Sequence, residues 1–135
     1  MDRAASVLLF DHRGWILLQL RDGNGAYPFH WATVGGAAFD GEEDEAAARR
    51  ELWEETGYVA GSLRFGHQVT LALPDGTPRV AALYYAAYDG VQSIECHEGL
   101  RIEFVDPAIL DSLLIYPGQD ELIRVTLRRI MVTGA

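Results

Sequence analysis

The chain contains no lysine: its 11 basic residues are all arginine, set against 20 acidic ones for a formal net charge of −9. That balance argues against nucleic acid as a partner, which needs a basic face to neutralise phosphates. Any direct clamp on a phosphate must then be a guanidinium group, which binds oxygens in bidentate fashion. Cysteine is nearly absent as well, and the single Cys96 excludes a disulfide within the chain. This favours a reduced, cytoplasmic setting, with Cys96 as a small half-buried thiol. No apolar run approaches a membrane span, and the apolar start at 4–10 lacks the basic flank and cleavage site of a targeting segment. Repeats, low-complexity tracts and linkers are also missing. The expectation is one domain over residues 1–135, long enough to bury its own core, with a hydrophobic content of 49% that argues against disorder.

Local patterns suggest a layered α/β domain. Apolar runs at 4–10 and 15–21 flank Asp11-His12-Arg13-Gly14 and read as a hairpin, followed by a flexible loop at 22–27. A short strand at 31–34 leads to Gly35 and Gly36. After a turn at Asp40-Gly41, a helix is expected to begin near Glu43 or Asp44 and to end at Gly57 in a left-handed cap. Residues 63–73 and 79–88 read as antiparallel strands joined at Pro74-Asp75-Gly76, and 101–105 as a last short strand. A second helix fits 119–132, with Leu122, Val125, Leu127 and Ile130 on an apolar side and Arg124, Arg128 and Arg129 on a solvated one.

Charge is concentrated in one place. Eight of the 20 acidic residues, Asp40, Glu42, Glu43, Asp44, Glu45, Glu51, Glu54 and Glu55, lie between positions 40 and 55. On a helix, Glu51, Glu54 and Glu55 share a face, because residues three and four apart are neighbours within one turn. Such a cluster suits a hard cation. The energetic penalty of like charges at this spacing is only a few tenths of a kcal/mol, so a solvated acidic face explains the cluster equally well when it is viewed alone.

The wider stretch GAAFDGEEDEAAARRELWEETGY, Gly36 to Tyr58, resembles the box of the Nudix (MutT-like) hydrolase family. Gly36, Glu42, Arg50, Glu51, Leu52, Glu54, Glu55 and Gly57 all fit it. Seven fixed letters coincide by chance at a given start with a probability on the order of 10⁻⁸, which removes coincidence as an explanation. Departures fall at Tyr58, where the family usually carries an aliphatic residue, at Phe39, where many members have another glutamate, and at Val34, where many have proline. The resemblance implies an α/β/α sandwich around a mixed sheet. It also implies Mg2+ or Mn2+ held by Glu51, Glu54 and Glu55, with Glu42 as a supporting ligand or hydrogen-bond anchor and Gly36 exposing a carbonyl as a further oxygen ligand. Arg50 would orient the glutamates.

The chemistry implied is attack of water on a phosphorus of a nucleoside diphosphate linked to a variable group, with nucleoside triphosphates among the substrates. Glu51 is one candidate base. A glutamate of a later loop is the other, with Glu98 preferred over Glu95 and Glu103 because it stands beside Gly99 just before the last strand. A Nudix-fold module that binds nucleotides without turning them over is the alternative, which the full set of glutamates disfavours. An isomerase acting on an allylic diphosphate ranks third, for want of a cysteine or histidine motif to support it. Tyr27, Phe29, Trp31 and Tyr116 offer either a stacking wall for a base or ordinary packing. His30 offers a phosphate contact or plain loop structure, and Pro74 reads as turn chemistry. A homodimer is left open, and no membrane partner is expected.

Overall fold

Strand β1 (Asp2–Phe10) is apolar toward both faces, because a helix layer covers each side of the sheet. Ala5, Val7 and Leu9 point toward helix α1 (Asp44–Thr56), whereas Leu8 points toward helix α2 (Gln119–Thr133). The structure, a computed structural model, describes residues 2–133. Strand β1 pairs in parallel along its whole length with β6 (Pro78–Ala87), which pairs antiparallel with β5 (Arg64–Ala72). The expected turn joins these two: Gly76 donates to the Leu73 carbonyl, and Leu73 donates to Thr77.

The other edge of β1 is divided. It meets β2 (Ile16–Leu20) only at Phe10 opposite Ile16, and then pairs with β4 (Val34–Ala37) from Val7 back to Ala4. Beyond that single shared position, β2 is flanked by β3 (Trp31–Ala32) and by β7 (Arg101–Val105). The sheet is therefore mixed and splayed, and a notch opens between the starts of β1 and β4 and the end of β2. The α/β/α sandwich expected from the resemblance is the observed architecture.

The hairpin at 11–14 is fixed by Asp11, whose carboxylate accepts from the amides of Arg13 and Trp15 and from the Arg13 side chain. Helix α1 buries Ala47, Ala48 and Leu52 and ends at Gly57, whose φ of 77° is a left-handed cap. Removing the Leu52 side chain there would cost about 2–5 kcal/mol. Tyr58 is buried and its hydroxyl accepts from the Asp89 amide at 3.0 Å, which explains how a phenol replaces an aliphatic residue after the box.

Two expectations are corrected. The apolar face of α2 buries Leu122, Ile123 and Thr126, with Leu127 and Ile130 packed at its border, and Val125 lies outside that stripe. Thr126 is accepted there because its hydroxyl donates to the Leu122 carbonyl. Cys96 is exposed rather than half-buried, in a loop whose flanking amides, those of Glu95 and His97, bond to the end of α1. The 22–27 loop is tied at its base, where Arg21 donates its amide to His30 and its guanidinium to the Ala26 carbonyl. A six-residue 3-10 helix at Pro107–Ser112 adds an element that periodicity does not reveal. Asp106 caps it by accepting from the Ala108 amide, with proline in its first turn.

Candidate active site

The rotation of α1 is set by Leu52, and this decides where each glutamate points. Glu55 turns inward and is 3% exposed, Glu51 is half-buried, and Glu54 faces solvent. Beneath Glu51 lies β4, and a methyl group on Gly36 would stand 2.7 Å from the Glu51 carboxyl carbon. Glycine at that position leaves the carboxylate the space that a side chain would take.

Arg50 ties the loop to the helix. Its Nε and Nη2 make two bonds to Glu42, at 2.9 and 3.0 Å, and Nη2 also donates to the Ala37 carbonyl. Its Nη1 donates to Glu51 at 3.0 Å and to Glu54 at 3.1 Å. The guanidinium carbon lies 3.9 Å from the centre of the Phe39 ring, so the aromatic residue at this departure from the family pattern stacks on the organising arginine. Both Glu42 oxygens are engaged, because Oε1 also accepts from the Phe39 amide. The Arg50 bonds, followed by that amide, hold the Glu42 carboxyl down at about 2.

Glu98 reaches the same place from a distant segment. Its loop is pinned to the end of α1 by Glu95 donating its amide to the Thr56 carbonyl and His97 donating its amide to that of Glu55. The His97 ring donates from Nδ1 to the Glu54 carbonyl at 2.9 Å and from Nε2 to Glu95 at 2.6 Å. The Glu54 carbonyl, followed by the Glu95 carboxylate, raises the His97 pKa above its ordinary value. Gln19 on β2 completes the support by donating its amide nitrogen to Glu55 Oε1 at 3.2 Å and to the Glu98 carbonyl at 2.9 Å.

Negative charge is therefore crowded into a partly dry volume. Burial pushes the Glu55 carboxyl up to about 9, with the neighbouring Glu98 and Glu51 carboxylates adding to the shift and Gln19 opposing it. Burial also raises Glu51, although Arg50 pulls it back while Glu54 and Glu98 push it further up. Among the described residues no three acidic, histidine or cysteine side chains stand together as a ready metal cage. Arg50 supplies the positive charge that holds Glu51 and Glu54. The donor set nonetheless fits a hard divalent cation, because it consists of oxygens and because Glu55 Oε2 is buried without any hydrogen-bond partner.

The sequence-derived site residues thus divide by place. Gly36, Glu42, Arg50, Glu51, Glu54 and Glu55 are brought together, and Glu98 joins them. Glu95 is engaged with His97, and Glu103 is exposed on β7. Tyr27 packs edge-on against Tyr116, with ring centres 4.9 Å apart, and against His30. Phe29 is exposed, and Trp31 lies under Arg101. Sequence reasoning overlooked Gln19, whose only signal was one amide within the otherwise apolar strand Ile16–Leu20.

The comparisons with known proteins agree with this fold and box. The family model for the NUDIX domain matches residues 1–125, and the chain belongs to that family. It is similar to an isopentenyl-diphosphate Delta-isomerase of Nocardia farcinica, 46% identical over 68 residues that cover 49% of this chain and 39% of the relative. It is also similar to the nucleoside triphosphatase NudI of Escherichia coli, 38% identical over 50 residues that cover 37% of this chain and 36% of the relative. The chain spans about two fifths of the length of the curated relatives it matches. Among solved structures, a MutT protein from Methanosarcina mazei Go1 has the same fold at a TM-score of 0.77 and 22% identity, covering 98% of this chain and 94% of that one. No helix among the described residues is long and apolar enough to cross a membrane.

Proposed function

We propose that the chain is a divalent-metal-dependent hydrolase that cleaves the diphosphate linkage of a nucleoside diphosphate joined to a variable group, nucleoside triphosphates included. The observation that carries this reading is that Glu51, Glu55 and Glu98 lie close enough to raise the Glu55 carboxyl together, while Glu55 Oε2 is buried and accepts no hydrogen bond from any amide, hydroxyl or cation. Mg2+ or Mn2+ held by Glu51, Glu54 and Glu55 would offset the negative charge of the diphosphate and activate water. Gly36 would leave room for that arrangement, and Glu42 would act through Arg50, which keeps Glu51 and Glu54 aimed at the same volume.

Glu98 is the base this reading favours. It arrives on a loop fixed at its backbone, it faces Glu51 and Glu55, and it is not held by Arg50 as Glu51 is. A carboxylate in that position can accept the proton of an attacking water while the anhydride oxygen leaves. The similarity to NudI, by its name a nucleoside triphosphatase, supports nucleoside triphosphates within the substrate class.

A second reading has one specific observation behind it, the 46% identity to an isopentenyl-diphosphate isomerase over half the chain. The same carboxylates would then hold an intact diphosphate while its organic group rearranges. A single screen separates the two. Nucleoside triphosphates, dinucleoside polyphosphates, ADP-ribose, nucleotide sugars and isopentenyl diphosphate are incubated with the chain and Mg2+, and both phosphate release and double-bond migration are followed. Release from a nucleotide supports the hydrolase, whereas migration alone supports the isomerase. Silence on both readouts, with nucleotide binding intact, would leave a binding module.

A further inference from the structure

Strand β5 ends the sheet, paired with β6 and with no other strand. Among the described residues no backbone group of a loop or helix bonds to its outer edge. Open edges are commonly guarded by charge, proline or a bulge, because unpaired amides and carbonyls recruit another strand. Here positions 65–74 carry no Asp, Glu or Arg in a chain with 23% charged residues, and Pro74 falls beyond the strand. The one irregularity, between Phe65 and His67, sits where α2 comes close: a methyl group on Gly66 would stand 2.5 Å from Thr126 Oγ1 and 2.9 Å from the Leu83 carbonyl oxygen. From His67 to Ala72 the strand is regular and its edge is open.

The strand also carries its own complement. Val69 and Leu71 pack toward α2, while Phe65, Gln68, Thr70 and Ala72 are exposed. Phe65 is 47% exposed although its ring meets Tyr84 edge-on. Arg64 opens the strand and Asp75 stands in the turn that follows it, both exposed and neither in an ion pair among the described residues. Asp75 accepts from the Thr77 amide. A copy related by a two-fold axis runs antiparallel, which brings the positive start of each strand to the negative end of the other. A parallel partner strand of the same chain would instead set like charges side by side.

We propose that two copies of the chain associate through β5, pairing antiparallel about a two-fold axis at Val69 so that the two sheets become one. In that register Gln68 of each copy lies opposite Thr70 of the other, an uncharged pair able to hydrogen-bond. Counted across the irregularity, Phe65 falls beside Ala72 of the other copy, which covers the exposed ring, and Arg64 falls beside the turn that carries Asp75. The interface lies at the opposite end of the sheet from β3 and uses none of the box glutamates, so it is independent of the chemistry proposed above.

Sedimentation equilibrium of the whole chain, without added ligand, tests this. Wild type is expected to associate reversibly to a dimer. Gln68→Lys/Thr70→Lys sets like charges opposite one another at two exposed positions and should raise the dissociation constant about tenfold or more, with circular dichroism unchanged. Arg64→Glu and Asp75→Arg should each weaken the dimer, and the two combined in one chain should restore it, because the exchanged charges again face each other. Hydrogen exchange locates the contact in the unmodified protein: the amides of 67–72 that point away from β6 should exchange more slowly in concentrated than in dilute samples. A monomer at every concentration overturns the proposal and leaves the edge to a strand of a different chain. A dimer unchanged in Gln68→Lys/Thr70→Lys, or one whose β5 amides exchange alike at both concentrations, overturns it as well. So does a charge-exchanged chain that associates more weakly than either single variant.

Discussion

Gly36 and Glu51 are in contact across the boundary between sheet and helix: a methyl group added to Gly36 would meet the Glu51 carboxyl carbon at 2.7 Å and its oxygens at 2.7 and 2.8 Å. The obstacle is the end of a flexible side chain, so Gly36→Ala should leave the fold intact and displace the carboxylate. Displacements of about 1 Å at a reacting centre cost on the order of 100-fold in rate. Activity of Gly36→Ala should fall by that order while its thermal midpoint stays near that of the wild type. Wild-type activity in a folded Gly36→Ala would show that the position of Glu51 is unimportant.

Glu42 gives a pH signature. Its carboxyl is held at about 2 by Arg50, below the ordinary value of 4.5, so its ionised form stabilises the folded state. That contribution is fully present above about pH 4.5 and is lost as pH falls toward 2. The difference in urea midpoint between wild type and Glu42→Gln should therefore be constant near neutrality and narrow on acidification below about pH 4.5. A difference that does not change over this range would mean that Arg50 and Glu42 are not coupled.

Glu55 has the opposite sign. Burial and the neighbouring Glu98 and Glu51 raise it from 4.5 to about 9, so in the metal-free protein its contribution is present below about pH 4.5 and is lost as pH rises toward 9. In the presence of a chelator, Glu55→Gln should gain stability relative to wild type as pH rises through this window. Parallel pH profiles for the two proteins would show that Glu55 is not strained by its surroundings.

His97 acts at one remove from the chemistry, as a positioning residue for the loop that carries Glu98. His97→Leu removes two side-chain bonds but leaves the amide bonds to Thr56 and Glu55 in place. The expected result is a fall in kcat of about tenfold with little change in KM, because the loss is of an oriented base rather than of binding. A rise in KM with unchanged kcat would place the loop in substrate binding instead.

Tyr58 tests the packing behind α1. Tyr58→Phe leaves the Asp89 amide without its acceptor and should cost about 1–2 kcal/mol, read from a denaturant midpoint. No loss would mean that water replaces the hydroxyl.

Helix α1 could be read from the chain because its cap at Gly57, its buried Ala47, Ala48 and Leu52, and its carboxylate spacing are all local. The hairpin at Asp11 and the Pro74-Asp75-Gly76 turn were legible for the same reason. What the chain concealed depends on distant pairing. The splay of β1 away from β2 follows from β4 taking over the β1 edge, and nothing within residues 2–10 announces it. Gln19 becomes a support only when β2 brings it against Glu55 and Glu98, residues 36 and 79 positions away. On α2 the expected stripe holds at Leu122, Leu127 and Ile130, but Val125 gives way to Ile123 and Thr126, because Thr126, a polar residue in the sequence, is buried with its hydroxyl satisfied within the helix.

The central claim is that the carboxylates of α1 act together in magnesium-dependent hydrolysis, and the double variant Glu54→Gln/Glu55→Gln tests it most directly. With a nucleotide that the wild type hydrolyses in Mg2+, turnover by the double variant should fall to background, with its circular dichroism and urea midpoint showing an intact fold. Near wild-type turnover in that variant would contradict the account.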